Sequence, residues 1–216
     1  MTELYDDQFF NSMRANSNLS GRIVVPMVQE IVGATSVLDV GCGVGGWAGA
    51  WLAAGLTDVV AVDGDYVNRD MLEIPADRFI AHDLTQPLDL GRKFDLVTSL
   101  EVAEHLPEDS AEIFVQSLVR HSDVILFSAA IPSQGGTGHI NEQWPSYWAR
   151  IFARARYRAY DPFRARIWEN NQVEWWYRQN LLLFAAVGCT IETKLPPLTG
   201  PLDVAHPILF RMWSSR

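Results

Sequence analysis

A glycine-rich segment near residue 40 is the strongest candidate for a ligand site in this sequence. Residues 37–47 read VLDVGCGVGGW, in which a short apolar run is followed at once by a turn with four glycines. Glycines in such a turn permit positive φ angles and let a ligand approach the backbone closely. The next apolar run ends at Asp63, 18 residues past Gly45, and a carboxylate there can accept both hydroxyls of a ribose. The two features together predict a nucleotide-binding site.

Two classes of nucleotide compete for this site. Nicotinamide cofactors are bound by a Gly-x-Gly-x-x-Gly turn that contacts a pyrophosphate. Here the glycines stand at positions 41, 43, 45 and 46, and Asp39 precedes the turn. An anion is disfavoured beside Asp39, whereas the ammonium of an amino-acid moiety can pair with its carboxylate. A nucleoside that carries an amino acid is therefore favoured, and a nicotinamide-dependent oxidoreductase is the alternative.

The elements that must position these residues alternate between strand and helix. Apolar runs predict strands at residues 37–40, 58–63, 79–81, 94–99, 124–130, 156–160 and 180–186. Helical spacing and capping residues predict helices over 24–31 and from Trp47, Asp109 and Pro145. This alternation is typical of an α/β doubly wound sheet, whose strands end along one ligand-binding rim.

We interpret residues 1–216 as a single domain with two additions. Residues 1–20 are polar with interspersed aromatic side chains and predict an N-terminal arm or a short helix. Residues 132–178 contain a Gly-rich loop and most of the tryptophans, and they predict an insert on the substrate side of the fold. Both segments are expected to close over the second substrate.

Four segments in succession resemble class I S-adenosylmethionine-dependent methyltransferases. Residues 37–47 resemble the family's first motif, 61–65 its ribose-binding motif, 82–84 its adenine-side motif and 94–107 its fourth-strand motif. The resemblance implies S-adenosylmethionine as the cofactor. The cofactor-binding residues that it implies are Asp39, Gly41, Cys42, Gly43, Gly45, Trp47, Asp63, Gly64, Asp83, Leu84, Leu100 and Glu101.

The same resemblance implies the details of the sheet. The family's fold is Rossmann-like, with a seven-stranded, mostly parallel sheet that contains one antiparallel strand. By this resemblance residues 180–186 form the reversed strand and residues 156–160 its neighbour at the edge. Residues 135–148 and 175–180 are similar to a bacterial subgroup associated with glycan or secondary-metabolite pathways.

The loop after the fifth predicted strand carries the candidate catalytic residues. Methyl transfer to oxygen requires an in-line acceptor and often a base. We interpret His139 as that base and Glu142 as the carboxylate that orients it, the alternative being that both only tie the loop to the next helix. His105, flanked by Glu101 and Glu104, is the rival base, and its alternative role is packing near the cofactor.

The residues expected to contact the acceptor lie in the N-terminal arm and in the predicted insert. We assign this role to Tyr5, Asn141, Trp144 and Arg178. Six of the 15 arginines lie within residues 150–166, where they could bind an anionic acceptor or form a solvated face with structural ion pairs. Carboxylates within residues 101–109 could hold Mg²⁺, but no spacing requires it and we assign no metal.

Composition limits the partners and the compartment. The 216 residues include 26 acidic and 17 basic side chains, a net charge of −9 that disfavours nucleic-acid partners. The longest apolar run, residues 181–187, is too short to span a membrane, which takes about 20 residues. Two cysteines and no secretory signal favour a cytoplasmic protein. We expect a monomer or a homodimer.

The sequence as a whole predicts an enzyme that methylates a hydroxyl of a small molecule or sugar. An amine or a carboxylate, including a peptide terminus, remains open as the acceptor. A non-catalytic subunit that binds S-adenosylmethionine is the alternative outside the enzymes.

Overall fold

A seven-stranded sheet forms the centre of the computed structural model, which describes residues 7–195, 198 and 200–214, with side chains from residue 19 onward. The strand order is β3-β2-β1-β4-β5-β7-β6. The strands are β1 Ser36–Val40, β2 Asp58–Asp63, β3 Phe79–Ala81, β4 Leu96–Leu100, β5 Val124–Ser128, β6 Tyr157–Tyr160 and β7 Leu182–Ala186. β7 is antiparallel to β5 and β6, and the other strand pairs are parallel. The predicted mixed sheet, its reversed strand and its edge neighbour are confirmed.

Helices cover both faces of this sheet. They are α1 Asp7–Val32, α2 Gly46–Ala53, α3 Ala111–His121, α4 Pro145–Arg154, α5 Arg164–Ile167, α6 Trp175–Asn180 and α7 Pro207–Ser214. Val37 of β1 packs into the apolar core shared with α1, α2 and α6, and the next residue, Leu38, packs into the core shared with α3 and α4. Because neighbouring strand residues point to opposite faces, a continuously apolar strand is what a sheet covered on both sides requires.

The first helix is longer than the sequence predicts. The expected helix over 24–31 is the end of α1, which starts at Asp7 and continues through Pro26. The helix ends at Val32, and Gly33 follows with φ of 64° in the left-handed region, as its position predicts. Residues 7–20 of the predicted arm are therefore the start of α1, whereas Tyr5 lies outside the described residues.

The start of α3 differs from the prediction. Asp109 was expected to cap this helix, but it lies inside a short 3₁₀ turn, Glu108–Ser110, and Ser110 stands at the N-cap position. The Ser110 hydroxyl donates to the Pro107 carbonyl at 2.7 Å instead of capping a helical N–H. The rigid residue Pro107 thus sets the tight turn that leads into α3.

Much of the predicted insert belongs to the layers of the fold. Residues 132–178 include α4, which packs on the sheet, and β6, which is its edge strand. Trp148 and Phe152 of α4 lie against Phe127 of β5, and their ring centroids are 5.5 and 5.4 Å, respectively, from that of Phe127. The closing of this segment over an acceptor stays a prediction.

The topology brings the candidate site to one edge of the sheet. β1, β2 and β4 are parallel, so the residues that follow them, from Gly41, Asp63 and Glu101 onward, lie on the same rim. β7 runs the opposite way, so Asn180 and Leu181, which precede it, also reach this rim. Among the helices of the described part, none is both long and apolar enough to cross a membrane.

Gly41 offers a test of this packing. It has φ of 81°, and a Cβ atom added to it would lie 2.3 Å from Cγ2 of Val102. We expect Gly41→Ala to lower the free energy of unfolding by about 3 kcal/mol, since a left-handed backbone penalty adds to overpacking. Gly55 is the control, because it has φ of 94° but no atom within 4 Å of an added Cβ. Gly55→Ala should lower the free energy of unfolding by about 1 kcal/mol, as measured by urea denaturation. Equal losses of stability in the two variants would contradict the packing argument for Gly41.

Candidate active site

The glycine turn and Asp63 are held directly together. The N–H groups of Gly41 and Cys42 both donate to the carbonyl of Val62, at 2.8 and 3.2 Å. The N–H of Gly43 donates to Oδ2 of Asp63 at 2.6 Å. The structure therefore brings together the two features that the sequence predicts as a nucleotide site, and one carboxylate joins them.

Asp63 also accepts a hydroxyl group. The Tyr66 hydroxyl donates to Oδ1 at 2.5 Å, and the N–H of Gly64 donates to the same oxygen at 2.6 Å. The Tyr66 ring lies over Gly64, where an added Cβ would stand 2.1 Å from Cε1. Burial raises the pKa of Asp63, while the donors Tyr66, Gly43 and Gly64 oppose that rise. This carboxylate is thus built to accept hydroxyl and amide donors, as a ribose-binding acid must be.

The turn leaves room for a ligand beside this carboxylate. A Cβ atom added at Gly43 would meet no atom of the described residues within 4 Å. Open space over a glycine, next to a carboxylate that accepts a hydroxyl, fits a ribose nucleoside. Gly45, with φ of 93°, ends the turn as the N-cap of α2.

Asp39 has a positioning role beneath the turn. Its Oδ1 accepts the hydroxyl of Thr98 at 2.6 Å, and its Oδ2 accepts the N–H of Ala48 at 3.1 Å. Burial raises the pKa of Asp39 to about 7, and the Thr98 and Ala48 donors oppose the rise. Asp39 thereby ties β1 to β4 and to the first turn of α2. Its predicted pairing with the ammonium of a ligand stays a prediction.

The other predicted cofactor residues are placed differently from one another. Asp83 is exposed and accepts both the N–H and the hydroxyl of Thr85, at 3.0 and 2.7 Å. The indole N–H of Trp47 donates to the Tyr177 hydroxyl at 3.0 Å, so this ring packs between α2 and α6. Burial raises the pKa of the Cys42 thiol well above its usual range, which makes it a poor nucleophile. Buried apolar side chains complete the set, namely Leu84 and Leu100.

Glu101 ends β4 in a strained conformation. Its φ is 56°, a left-handed value that costs a non-glycine residue about 1–3 kcal/mol. Its N–H donates to the carbonyl of Ser128 at 2.9 Å. Its carboxylate accepts the side-chain amides of Gln134 at 2.8 Å and Asn180 at 3.1 Å. Burial raises the pKa of Glu101, and the Asn180, Ser128 and Gln134 donors oppose the rise.

The backbone of Glu104 fixes the loop of residues 133–143 to the end of β4. Its carbonyl accepts the N–H groups of Ile140 and Asn141, at 2.9 and 3.0 Å. The two segments that the sequence separates by more than 30 residues therefore form one cluster. His105 and His139 meet in it with ring centroids 4.8 Å apart and planes at 88°.

His139 and Glu142 form a fixed pair within this loop. His139 Nδ1 lies 2.9 Å from Oε1 of Glu142. The N–H groups of Ser133 and Gly135 each donate to the Glu142 carboxylate at 2.7 Å. A Cβ added at Gly136 would lie 2.3 Å from His139 Nε2, so only glycine lets the loop close on this ring. The predicted pair is present, and its catalytic use stays a prediction.

The rest of the cluster is buried and acidic. Glu104 is fully buried, and neither of its carboxylate oxygens has a hydrogen-bond partner in the part of the chain that the structure describes. Burial raises the pKa of Glu104 well above its usual range, and the charge of Glu101 adds to the effect. Burial, together with the charge of His139, lowers the pKa of His105 to about 4. His105 is therefore neutral and a weak base at pH 7.

Sequence reasoning did not find the amides that hold Glu101. The Gln179 and Asn180 side chains both donate to Oε1 of Gln134, at 3.0 and 2.9 Å, which fixes the three amides as a network. The position of Asn180 before the reversed strand was the available signal, because that end of β7 lies on the rim. Gln134 and Gln179 gave no comparable signal.

The residues predicted to contact the acceptor lie in different environments. Arg178 is 4% exposed, and its Nη1 donates to the Trp168 carbonyl and to Asn171, at 3.2 Å each, while its Nε has no partner among the described residues. A contact between Arg178 and the acceptor stays a prediction. Asn141 is also buried, and its Nδ2 has no partner in the described part of the chain. Trp144 is 38% exposed at the start of α4. Its contact with an acceptor stays a prediction.

The family described as "Methyltransferase domain" matches residues 13–155 of the chain. This match covers most of the sequence and includes the glycine turn, Asp63 and the loop that carries His139. The chain belongs to this methyltransferase family. The class I S-adenosylmethionine-dependent methyltransferase expected from the sequence is thereby confirmed, and S-adenosylmethionine is the cofactor. The nicotinamide alternative is wrong.

Solved methyltransferase structures share this fold. The sugar N-methyltransferase KedS8 from Streptoalloteichus sp. ATCC 53650 superposes with a TM-score of 0.64 at 18% identity, over 83% of this chain and 92% of that one. CalS10, an amino pentose methyltransferase from Micromonospora echinaspora, gives 0.63 at 16% identity over 84% and 97%. The methyltransferase domain of bacterial CtHen1-C gives 0.59 at 16% identity over 79% and 99%. No curated protein matches the methyltransferase in sequence.

Cofactor binding tests the role of Asp63. We expect Asp63→Ala to weaken S-adenosylmethionine at least tenfold in calorimetry, since a ribose loses its acceptor. Tyr66→Phe should tighten binding about threefold to tenfold, because the Tyr66 hydroxyl no longer holds Oδ1 of Asp63. Unchanged affinity in both variants would remove Asp63 from the cofactor site.

The raised pKa of Asp39 predicts a pH-dependent effect at Thr98. The folded protein keeps a proton on Asp39 that the unfolded chain releases between about pH 4 and 7, so the free energy of unfolding falls across that interval. Thr98→Val should cost about 1 kcal/mol at pH 5 and about 2 kcal/mol at pH 8, where Asp39 is ionised and needs the donor more. Denaturant titrations at both pH values measure this difference.

Ser99→Ala is the control for that experiment. The Ser99 hydroxyl lies on the same strand and has no hydrogen-bond partner among the described residues. Its loss should change stability equally at pH 5 and pH 8. A cost of Thr98→Val that does not grow with pH would show that Asp39 does not ionise in this range.

Proposed function

We propose that this methyltransferase methylates a hydroxyl group of a small molecule or a sugar. S-adenosylmethionine supplies a methyl group on a sulfonium; the acceptor oxygen loses a proton and gains that methyl, and S-adenosylhomocysteine is left. The chain's own residues have two tasks in this proposal. They hold the acceptor oxygen at the rim beside the cofactor site, and they promote the loss of its proton.

The observation that carries the proposal is the His139–Glu142 pair. Glu142 accepts from Nδ1 of His139, which leaves Nε2 directed into the cluster at the end of β4, 4.0 Å from Oε1 of Glu104. A histidine oriented by a carboxylate is a recurrent arrangement for removing a proton. His105 is less suited to this role, since its low pKa makes it a weak base.

The charges around the pair support a neutral or cationic acceptor. Glu101 and Glu142 bring acidic side chains to one small region, and Glu104 adds a buried carboxyl group whose pKa is raised. The buried arginines are engaged elsewhere: Arg164 pairs with Asp161, and Arg178 binds loop carbonyl and amide oxygens. A carboxylate acceptor would be repelled here, so methylation of a carboxylate, including that of a peptide terminus, is disfavoured.

Exposed apolar side chains on the same loop suit an acceptor with a flat apolar face. Ile140, which lies between His139 and Glu142 in the chain, is 66% exposed, and Trp144, two residues after Glu142, is 38% exposed. Trp213 of α7, 53% exposed, donates its indole N–H to the carbonyl of Ser133 at 3.0 Å. Aromatic faces of this kind stack on sugar or aromatic rings. These contacts are consistent with the glycan or secondary-metabolite subgroup that residues 135–148 and 175–180 resemble.

An amine is the second candidate acceptor, and the acidic cluster favours it. A protonated amine would pair with the carboxylates of this region. KedS8 and CalS10, which share the fold, are described as a sugar N-methyltransferase and an amino pentose methyltransferase. We infer a hydroxyl rather than an amine because the histidine–carboxylate pair has its clearest use in removing a hydroxyl proton.

We infer further that the methyltransferase acts as a single domain, as a monomer or a homodimer, in the cytoplasm. The net charge of −9 supports the absence of nucleic-acid partners. The small-molecule acceptor needs no extended surface beyond the rim of the sheet.

His139 provides the first test. We expect His139→Ala to keep the affinity for S-adenosylmethionine and to lower turnover at least 100-fold, because proton removal is lost. Glu142→Gln should lower turnover about tenfold, since the ring keeps a neutral acceptor but loses the charge. Calorimetry and initial rates measure the two effects. Turnover that survives His139→Ala would remove this residue from the mechanism.

A methyl-transfer screen identifies the acceptor. Radiolabelled S-adenosylmethionine is offered with paired sugars that carry a hydroxyl or an amino group at the same carbon, together with phenols and short peptides. The expected product is a base-stable methyl ether from the hydroxyl member of a pair. Transfer to the amino member alone would overturn the hydroxyl proposal in favour of the second candidate, and a base-labile product would indicate a methyl ester.

A further inference from the structure

Three metal-ligand side chains converge beside the proposed acceptor position. Glu104, His105 and His139 each offer one ligand atom, and these atoms all lie within 4.8 Å of one another. The carboxylate comes from the 3₁₀ turn after β4, and one imidazole comes from the loop of residues 133–143. Segments distant in sequence thus build one donor set, which separates it from a local run of acidic residues.

The carboxylate of Glu104 is the independent sign that something is bound here. It is fully buried, and neither oxygen has a hydrogen-bond partner among the described residues. A buried carboxyl group that lacks a hydrogen-bond partner is destabilising even when it holds its proton. Native structures leave such a group where a ligand, an ion or water completes it.

His139 is oriented as metal-binding histidines are. Its Nδ1 pairs with Glu142 at 2.9 Å, and Glu142 is itself fixed by two backbone N–H groups. A carboxylate on one ring nitrogen sets the tautomer and leaves the lone pair on the other nitrogen, which is the standard second contact of a metal-ligating histidine. The remaining nitrogen, Nε2, points towards Glu104, with 4.0 Å between it and Oε1.

We propose that Glu104, His105 and His139 bind one divalent first-row transition-metal ion at the acceptor side of the cofactor site. The inference rests on the proposed function, because it assigns the ion to the same acceptor group. Two imidazole nitrogens and one carboxylate oxygen favour ions such as Zn²⁺, Co²⁺ or Mn²⁺ over Mg²⁺, which prefers oxygen ligands. Three protein ligands leave positions open for an oxygen of the acceptor.

The geometry needs a small contraction to close on the ion. Ligand atoms about 2.0–2.2 Å from one ion lie about 3.0–3.5 Å from each other. The three atoms here lie up to 4.8 Å apart, so the side chains must draw together by about 1 Å. Side-chain rotations of this size leave the backbone contacts of the cluster in place.

The ion would activate the acceptor hydroxyl directly. A divalent cation withdraws electron density from a bound hydroxyl and lowers its pKa, so that the proton is released to solvent at neutral pH. In this arrangement the ion binds the lone pair of Nε2, so His139 acts as a ligand, and the proton of the acceptor passes to solvent instead of to its ring. Glu142 then holds the ligand ring in place.

A Co²⁺ titration of the full-length protein tests the site without reference to catalysis. The protein is stripped with a chelator, freed of it and titrated with Co²⁺ while the visible d–d absorption is recorded. We expect one equivalent to bind, and binding at least tenfold weaker in Glu104→Gln, His105→Ala and His139→Ala. Glu112→Gln is the control, because Glu112 is an exposed carboxylate that pairs with Arg154 on the protein surface. Near-ultraviolet circular dichroism verifies that each variant is folded.

The outcomes separate this proposal from the proposed function. One equivalent of Co²⁺ that depends on all three ligands, with methyl transfer that falls in chelator-treated protein and returns with Mn²⁺ or Co²⁺, supports both. Full methyl transfer by metal-free protein overturns the metal site and leaves His139 as the base. Co²⁺ that binds equally to wild type and the three variants also overturns the site. Specific Co²⁺ binding without transfer to any acceptor of the screen would sustain the site and overturn the proposed function.

Discussion

The carbonyl oxygen of Glu104 accepts two backbone N–H groups, and the candidate active site depends on this contact. The hydrogen bonds from Ile140 and Asn141, at 2.9 and 3.0 Å, attach the loop after β5 to the turn after β4. Together with the hydrogen bond from Gln134 to Glu101, they hold the loop that carries His139 and Glu142 against the rim. Because these bonds join backbone groups, they do not require particular side chains at Ile140 and Asn141.

Three residues close to this contact each have a conformation or an environment that lowers the stability of the fold. Glu101 has a left-handed backbone, and the ring of His105 has a pKa that burial lowers. The buried carboxyl group of Glu104 has no hydrogen-bond partner among the described residues. Each feature costs free energy that a residue chosen for stability alone would avoid. Their coincidence at the rim of the sheet, where this fold family places its substrates, is the pattern expected when binding rather than folding selects the residues.

Much of the fold could be predicted from the sequence, because local pattern determines it. The continuous apolar run of β2 and the glycine after Val32 fix their elements by rules that operate within a few residues. The start of α3 could not be read in this way, since Pro107 imposes a tight turn that moves the cap from Asp109 to Ser110. The length of α1 through Pro26 likewise depends on packing against α2, which no local signal reports.

The site was predictable where its residues adjoin strand ends, and hidden where they do not. Asp63 and Glu101 end strands of a parallel sheet, so their meeting on one rim follows from topology. The amide of Gln134 reaches Glu101 from a loop, and the amide of Gln179 reaches Gln134 from the helix before the reversed strand. The spacing of these residues in the sequence does not indicate either contact. Arg178 illustrates the converse: its charge suggested a ligand contact, but it is buried and its Nη1 donates to oxygens of Trp168 and Asn171 within the protein.

The hydrogen bond between Tyr66 and Asp63 has a consequence for the catalytic cycle. A ribose that binds Asp63 as predicted would exchange one hydroxyl on Oδ1 for another, so the net number of hydrogen bonds to Asp63 would hardly change. The ribose would then add less to affinity than it would at a carboxylate that no internal hydroxyl occupies, and the spent nucleoside would leave sooner because the Tyr66 hydroxyl can take its place. A side chain of the protein itself would thus favour product release, which sets the turnover rate of many enzymes.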